Sequence, residues 1–311
     1  YNAGLDFGFW NGRLTGNIDW YYRETTDLLN TVSVAAGSNF RNQVMSNIGS
    51  LKNTGIEASL NWKAISNNDW LWDLGVNFTY NQNEITELVD GDYQLTGGIS
   101  SGTGNMCQAH AVGHPAGSFY VYQQVYDSKG MPIEGAVVDR NGDGVITEDD
   151  RYVTGKSISP KFFFGISSSF TYKKWDFGFN AHGSLGGYAL NKVAKNNATS
   201  YSDDHTKGYI NNLSTYVLKT NWTETMSEFQ QVSDMFLENA SFFRLDDINV
   251  GYTFDQFKNW KGKIRVGASV QNVFTITDYS GLDPELTVTD GVDNNLIPRP
   301  RLYTVRLNIN F

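Results

Sequence analysis

Residues 139–150, with the sequence DRNGDGVITEDD, have the types and the spacing of a loop that binds calcium. Side chains with oxygen atoms stand at loop positions 1, 3 and 5 as Asp139, Asn141 and Asp143, and glycine follows at position 6, where such a loop turns sharply. Val145 offers its backbone carbonyl at position 7, and Asp150 closes the loop at position 12 in place of the usual bidentate glutamate. We therefore predict one Ca²⁺ held by Asp139, Asn141, Asp143, the Val145 carbonyl and Asp150.

The surroundings of this loop predict a structural role for the ion. No helical pattern flanks the loop, and it lies in the longest link between predicted strands, 84–158. A hard cation would order a segment that has few apolar residues from which to build a core. The alternative is an acidic turn without an ion, in which the same side chains bond to nearby backbone N–H groups.

Three other residues, Asp176, His182 and Ser184, share one face of a predicted strand and would allow a hydrolytic triad. The chain contains neither a Gly-x-Ser-x-Gly elbow nor a His-Glu-x-x-His pattern, which mark common hydrolytic sites. A polar strand face already accounts for all three residues. We therefore predict that the protein is not an enzyme, and an outer-membrane barrel protease or lipase is the alternative from another class.

The elements that must position these groups are nine segments in which apolar and polar residues alternate. Period-two alternation is typical of a strand with one apolar and one polar face. In the fourth segment, Trp, Leu, Val, Phe and Tyr fall on one face, and Asp, Gly, Asn and Thr fall on the other. The nine segments are 2–10, 13–23, 50–63, 70–83, 159–173, 175–186, 239–254, 263–277 and 301–311.

The length of these segments favours a membrane barrel over a soluble sandwich. Most of them span 11 to 16 residues, whereas a typical soluble strand has about 5–6 and a tilted membrane strand needs roughly 9–11. The apolar faces end in Trp, Tyr and Phe, as an aromatic girdle does at a membrane interface. The chain also stops on Phe311, as the closing strand of a bacterial outer-membrane barrel does. The sequence therefore predicts an all-β, antiparallel transmembrane β-barrel.

The links between the segments predict the orientation of the barrel. Short links alternate strictly with long ones, as periplasmic turns alternate with extracellular loops in outer-membrane barrels. We therefore expect the carboxy-terminus on the periplasmic side. The short links are 11–12, 64–69, 174 and 255–262, and the long links are 24–49, 84–158, 187–238 and 278–300.

Composition agrees with a barrel and argues against other classes. Hydrophobic residues make up 40% of the 311 residues, yet no apolar run is long enough for a membrane helix. A net charge of −9 argues against a nucleic-acid partner. The single cysteine, Cys107, can form no internal disulfide. Because bacterial single-chain barrels have an even number of strands, nine segments lead us to expect the carboxy-terminal part of a longer barrel.

Six stretches of the sequence carry a family resemblance. They are NIGSLKNTGIEASLNW (47–62), VGHPAGSFYVYQQV (112–125), DRNGDGVITEDDRYVTGKSISPKFFFGISSSFTYKKWDFGF (139–179), ENASFFRLDDINVGYTF (238–254), VGASVQNVFTITDYSGLDPEL (266–286) and LYTVRLNINF (302–311). Together they resemble the SusC/RagA-type TonB-dependent transporters of the Bacteroidota, in the right order over essentially the whole chain. One departure is the run VYQQVYDSK at 121–129, where family members commonly continue with a Gly-Ile-Phe-like run. Loop details are therefore not carried over.

The resemblance implies the last nine strands of a 22-stranded barrel, whose amino-terminal part supplies a plug and the contact with TonB. It also implies a SusD-like surface lipoprotein that closes over the barrel as a lid. The implied function is import of oligosaccharides across the outer membrane, and some members import peptides instead. A calcium-stabilised surface adhesin is a further alternative.

Substrate contacts are predicted where aromatic rings and hydrogen-bonding side chains coincide in the loops and the lumen. The candidates are Tyr120, Tyr122, His182 and Arg244. The simpler interpretation is loop packing or contact with the lid for the tyrosines, and a lumen-wall hydrogen bond for His182. Further loop tyrosines are Tyr126, Tyr201, Tyr209, Tyr216 and Tyr279.

The sequence also predicts three local features of the strands and links. Asp246 and Asp247 interrupt the alternation of their segment, which predicts a β-bulge. In the last segment, Val305 and Phe311 are expected to face lipid and Arg306 to face the lumen, because a shift of one residue would invert the whole set. The links 84–158 and 187–238 are expected to supply much of the surface that meets the lid.

Overall fold

The computed structural model of the chain describes residues 1–33, 40, 43–89, 91–98, 106–200, 213–224, 226–254, 262–285, 291–294 and 297–310. The strands in chain order are β1 (Asn2–Phe9), β2 (Leu14–Ser33), β3 (Gln43–Ser66), β4 (Trp70–Leu88), β5 (Tyr93–Gly98), β6 (Met106–Ala111), β7 (Ser118–Val121), β8 (Gln124–Tyr126), β9 (Pro132–Val137), β10 (Tyr152–Ser157), β11 (Phe162–Tyr172), β12 (Trp175–Leu185), β13 (Tyr188–Leu190), β14 (Leu237–Asn239), β15 (Phe242–Phe254), β16 (Lys263–Thr277) and β17 (Leu302–Asn310).

Nine of these strands form one antiparallel sheet in the order β1-β2-β3-β4-β11-β12-β15-β16-β17. Each strand pairs with the next of the nine along the chain, so the order is that of an up-and-down barrel wall. The nine predicted segments correspond one to one to these strands, which confirms the all-β prediction. Among the described residues, no helix is both long and apolar enough to cross a membrane.

The two faces of this sheet differ as the alternation predicts. On one face, aromatic rings pack across neighbouring strands, as Trp70 does against Tyr172 with 4.0 Å between ring centroids. On the other face, the register places Asp73 beside Ser169 and Ser169 beside Gly178. We call these the lipid face and the lumen face. The Ser168 hydroxyl on the lipid face has a hydrogen-bond partner within the sheet. The Trp72 indole N–H donates to Ser168 Oγ at 3.0 Å.

The last strand has the predicted orientation. Val305 lines an apolar hollow of the lipid face together with Val250 and Val266. Arg306 lies on the lumen face beside Arg265 and other polar side chains. The expectation for Phe311 lies outside the described residues.

Two strands are longer than the alternation predicts, and the predicted long link 24–49 is wrong in its extent. β2 has 20 residues and β3 has 24, and the pair continues to Ser33 and Gln43. Ladder hydrogen bonds join backbone groups, so a hairpin can continue past the bilayer without an apolar face. The residues that connect β2 and β3 are therefore 34–42, of which only Phe40 is described.

The predicted bulge is confirmed. The pairing of β15 with β16 shifts in register between Leu245 and Asp247, and the pairing with β12 shifts at the same place. The extra residue lets Arg244 and Asp247 both face the lumen side of β15, opposite His182 and Asn180 respectively. The bulge therefore re-aims side chains near the end of the strand.

The three long links between later strands fold together into a second body, which we call the loop layer; it comprises the described parts of 89–161, 186–241 and 278–301. It contains small sheets (β10-β7-β6-β5, β13-β14 and β8-β9), helices α1 (Lys192–Asn196) and α2 (Val217–Thr220), and 3₁₀ turns at Glu148–Asp150, Gln230–Val232 and Asp234–Phe236. Its core draws on all three links, with Cys107, Phe119, Val121, Tyr122, Val137, Leu190, Ala194, Ala198, Trp222, Val232, Phe236, Leu237 and Val292.

Candidate functional site

The lumen face is built mainly from small and neutral polar side chains, with ion pairs between strands. Asp176 on β12 and Arg265 on β16 form a bidentate pair across β15. This pair passes over Gly251 of β15, where any side chain would collide with both partners. A wall of this kind suits a water-filled passage, because its polar groups remain hydrated or paired.

A group of charged side chains lies where the lumen meets the loop layer, and we call it the rim cluster. His182 Nδ1 lies 2.7 Å from Asp246 Oδ2, and His182 Nε2 lies 3.7 Å from Glu285 Oε1. Arg299 reaches the same carboxylate oxygen of Glu285 at 3.0 Å. The rim cluster consists of His182, Arg244, Asp246, Asp283, Glu285 and Arg299.

Arg244 is the buried centre of the rim cluster. Its side chain donates to Asp283 Oδ1 at 2.5 Å and to Asn272 Oδ1 at 3.4 Å. Its Nε lies 3.5 Å from Glu285 Oε2, and neither of these two atoms has a hydrogen-bond partner among the described residues. The structure therefore brings the predicted residues His182 and Arg244 together as cross-strand neighbours. Their contacts hold the 282–285 segment against the barrel.

The predicted substrate tyrosines lie inside the loop layer. Tyr120 on β7 and Tyr122, which follows the end of β7, are buried, and the Arg151 guanidinium lies 5.7 Å and 5.0 Å from their ring centroids. Burial raises the pKa of both hydroxyls. Tyr120 donates to the Glu148 carbonyl at 3.2 Å. In this arrangement both tyrosines pack the layer, and a solute would reach them only after the layer opens.

The other loop tyrosines are distributed differently. Tyr279 is buried and donates to Asp293 Oδ2 at 2.7 Å. Tyr126 is exposed, and Tyr216 is half-buried against the layer core. Tyr201 and Tyr209 lie outside the described residues.

The predicted calcium loop is compact and is closed by its own side chains. The Asp139 carboxylate accepts from the Gly142 and Gly144 N–H groups at 2.7 and 2.8 Å. Asn141 Oδ1 accepts from the Asp143 N–H at 2.9 Å, and Asp143 Oδ1 accepts from the Val145 N–H at 2.8 Å. Both glycines have positive φ, +74° and +84°, which a side chain would disfavour.

Asp150 anchors the end of this loop. Its carboxylate is buried and accepts from the Thr147, Arg140 and Asn141 N–H groups at 2.8, 2.8 and 3.3 Å. These hydrogen bonds, with the one from Thr147 first, hold the pKa of Asp150 below its usual value, and the neighbouring Asp139 carboxyl contributes in the same direction. Two of the predicted ligand carboxylates therefore face each other.

Among the described residues, no group of three or more His, Cys, Asp or Glu side chains is arranged to hold a metal ion by those side chains alone. Calcium at 139–150 would need oxygen atoms from Asn141 and from the Val145 carbonyl as well. Each carboxylate oxygen that accepts one N–H retains a second lone pair. The donor set is therefore entirely oxygen, which suits a hard cation.

The residues of the possible triad have other partners. Asp176 pairs with Arg265, and His182 pairs with Asp246. Ser184 lies on the same lumen face and opposite Phe163 of β11 in the register. The three side chains therefore belong to separate contacts of the lumen wall.

Phe163 was not among the predicted site residues, although its ring is on the lumen face and is 43% exposed. The sequence does not show which face of the strand Phe163 lies on, because Phe162, Phe163 and Phe164 are all apolar. The face can be found by counting back in steps of two along β11 from Ser169 and Ser167, which lie on the same face as Phe163. The analysis also missed Asp283 and Glu285, the partners of Arg244.

Comparison with known proteins agrees with this geometry. The sequence profile described as TonB dependent receptor-like, beta-barrel matches residues 1–273. The chain belongs to this family. It is 44% identical to the TonB-dependent receptor SusC of Bacteroides thetaiotaomicron over the whole chain, and it is 28% identical to the TonB-dependent receptor P3 of Formosa agariphila. The chain spans 31% of the length of SusC and 34% of the length of P3.

Two solved structures of RagAB share this fold. The chain is 26% identical to the RagAB peptide transporter, with a TM-score of 0.78. The alignment covers 100% of this chain and 35% of the RagAB chain. The RagAB peptide importer in its 'closed-closed' state gives a TM-score of 0.76 at the same identity and coverage. As a TonB-dependent receptor barrel of SusC/RagA type, the chain is located in the bacterial outer membrane. Its family is one of transporters, which are not enzymes.

Proposed function

We propose that this chain forms part of the barrel wall and the loop layer of a transporter. The transporter imports oligosaccharides across the outer membrane with energy from TonB. The observation that carries the proposal is the lumen face, where neutral hydrogen-bonding groups recur on neighbouring strands, such as Asn77 of β4, Ser167 of β11 and Asn180 of β12. Sugar hydroxyls both donate and accept hydrogen bonds, so they match neutral amides and hydroxyls without requiring a net charge. Identity of 44% to SusC over the whole chain supports the same class of transporter.

Peptide import is the second candidate. It is favoured by the fold similarity to the RagAB peptide importer, although the identity there is 26%. Uptake measurements separate the two functions. Cells that express the complete gene product are given labelled oligosaccharides or labelled peptides, and a deletion strain supplies the background. TonB-dependent uptake of a sugar but of no peptide supports the proposal, and the reverse result overturns it.

We also propose that the loop layer receives a SusD-like surface lipoprotein that closes over the barrel as a lid. The layer stands at the end of the barrel with the long links, where an outside partner can reach it. It presents exposed apolar side chains, including Leu218 at 75% and Leu282 at 66% exposure. Apolar surface of this kind marks contact sites on proteins.

Site-directed cross-linking tests the lid. The only cysteine, Cys107, is buried, so an introduced cysteine is the reactive thiol of this chain. The transporter with Leu218→Cys is co-expressed with the lid lipoprotein, and a cross-linker is attached to the introduced cysteine. Asn68→Cys in the short turn between β3 and β4 is the matched control, because it is exposed at the opposite end of the barrel. Cross-links from both positions, or from neither, would contradict the docking surface.

Finally, we propose that Asp139, Asn141, Asp143, the Val145 carbonyl and Asp150 hold one structural Ca²⁺. The proposal is supported by the spacing of the residues, the all-oxygen donor set and the proximity of the Asp139 and Asp150 carboxyls. The ion would bind both carboxylates and fix the approach to β10.

The calcium proposal can be separated from a simple acidic turn. Asp143→Asn keeps an acceptor for the Val145 N–H but removes one charge, so it should weaken calcium binding in calorimetry while the turn persists. Asp149→Asn is the matched control, because Asp149 lies in the same segment and is not a proposed ligand. The loop is an acidic turn without an ion if two results are found for the unmodified protein. Calorimetry then detects no binding of calcium, and chelation does not change the protease sensitivity of 139–158.

A further inference from the structure

Phe163 is an exposed aromatic residue on the lumen face that has no ring partner among the described residues. Phe163 is the second residue of β11, and its neighbours in the chain turn to the lipid face. There Phe162 packs against Tyr80 at 4.9 Å, and Phe164 stacks on Phe243 at 6.2 Å. Within the described residues, Phe163 makes no such ring contact, although its exposed fraction is 43%. Its two neighbours therefore contribute to the barrel wall, and Phe163 faces the passage.

The two direct cross-strand neighbours of this ring are polar and uncharged, and Glu57 of β3 lies one strand beyond in the same row. Thr79 of β4 lies on one side of Phe163, and Ser184 of β12 lies on the other. The next row begins with Asn77 and Gly165, where the glycine has no side chain to cover the ring. An apolar ring face bordered by hydroxyl and amide groups is thus open to the lumen.

The position of Phe163 along the passage is at the extracellular mouth. The backbone N–H of the preceding Lys161 bonds to the carbonyl of Leu185, the last residue of β12. One row further into the barrel lie His182 and Arg244 of the rim cluster. A solute that enters from the loop layer therefore passes the ring before it reaches the rest of the lumen wall.

We propose that Phe163 is a stacking platform for a sugar ring at the mouth of the transporter, with Thr79 and Asn77 of β4 as flanking hydrogen-bonding groups. This inference rests on the proposed import of oligosaccharides. A pyranose has one face of C–H groups, which packs on an aromatic ring, and an edge of hydroxyls, which needs donors and acceptors close beside it. The arrangement supplies both kinds of contact within two adjacent register rows.

The test uses the complete transporter with its lid lipoprotein, and the probes are cellohexaose, maltohexaose and mannohexaose, with hexa-alanine as the peptide probe. For a sugar that the unmodified protein binds, Phe163→Leu and Phe163→Ala should weaken binding by about tenfold, as truncation of a contact residue at the centre of a site commonly does. Phe163→Tyr and Phe163→Trp should retain the affinity, because they keep a ring. Phe177→Leu on the lipid face is the matched control, since Phe177 is 40% exposed.

The outcomes distinguish this inference from the proposed function. If a sugar binds and is imported with unchanged affinity in Phe163→Leu and Phe163→Ala, then the stacking platform is wrong and the transport function stands. If only hexa-alanine binds, both the proposed function and the platform are wrong. If Phe163→Leu also lowers the heat resistance of the barrel, the sugar affinities of Phe163→Tyr and Phe163→Leu are compared for the folded protein only. Equal sugar affinity of those two variants would then overturn the platform.

Discussion

Arg244 of β15 and Asp283 of the last long link form an ion pair of 2.5 Å between side chains that are 3% and 5% exposed. The two residues are 39 positions apart, and the pair ties the link to the barrel wall at the β-bulge. A charged pair that is shielded from water in this way resists separation, because either partner alone would leave a buried charge.

Removal of one partner of this pair should therefore loosen the 280–285 segment. Asp283→Asn leaves the Arg244 charge without its closest counter-ion, and breaking a buried pair typically costs about 3–5 kcal/mol. Hydrogen exchange of 280–285 should accelerate, while exchange within β4 and β11 stays unchanged. The double variant Arg244→Met/Asp283→Leu should recover much of the protection, and equal loosening in the single and double variants would contradict the argument.

Truncation of the layer core should unfold the loop layer without unfolding the barrel. Trp222 is 2% exposed, packs against Phe236 and donates its indole N–H to the Pro132 carbonyl at 2.9 Å. Trp222→Ala should destabilise the layer by about 3–5 kcal/mol, as for other buried aromatic residues. Limited proteolysis reports on the layer, and heat-modified migration in electrophoresis reports on the barrel. Trp175→Ala on the lipid face is the control.

The loop layer should lose stability in mild acid because of His110. Its Nδ1 accepts from the Gly117 N–H at 3.1 Å, and burial lowers its pKa below the usual 6.5. The unfolded chain then binds a proton at a higher pH than the folded layer does, so this contribution is complete above about pH 6.5 and is lost as the pH falls below it. His110→Gln keeps an acceptor and does not titrate. Exchange rates of the layer between about pH 7 and about pH 5 should depend less on pH in the variant.

A side chain at Gly251 should break the ion pair inside the lumen. A Cβ there would collide with Arg265 and with Asp176, which bond to each other across β15. Gly251→Ala should displace the ends of both side chains and weaken a pair that is about one-third exposed, which costs about 0–1 kcal/mol, and should slightly lower the temperature at which the barrel loses its compact migration. Gly8→Ala is the matched control, because its Cβ would meet nothing nearer than 3.8 Å. A similar loss in both variants would show that the effect is a general one of glycine in strands.

The alternation of the sequence predicted the barrel wall because each face of a strand meets a different solvent. The parity of Val305 and Arg306 was therefore readable from residue types alone. The extension of β2 to Ser33 was not, since beyond the bilayer the ladder depends on backbone groups that every residue carries. The spacing of the proposed calcium loop was readable because Asp139, Asn141, Asp143 and Asp150 are close in the chain, and calcium binding there stays a prediction.

Contacts between distant links were beyond the reach of the sequence. Nothing near Arg244 in the chain indicates that Asp283 will neutralise it, because that contact depends on where the last link folds. The burial of Tyr120 and Tyr122 has the same origin, since the core that covers them is assembled from separate links. Phe163 was missed for a local reason, because three consecutive phenylalanines obscure the period of two.

The shared core of the loop layer has a consequence for how such transporters change over evolutionary time. Because Phe119, Leu190 and Val292 come from three different links and pack in one core, an insertion or deletion in one link alters the volume that the other two must fill. The links are thus expected to vary together, whereas lipid-facing and water-facing residues of the strands accept single substitutions. New specificities would then arise most readily by recombination that exchanges the three links as a unit, and the strands and the layer of related proteins would have separate phylogenies.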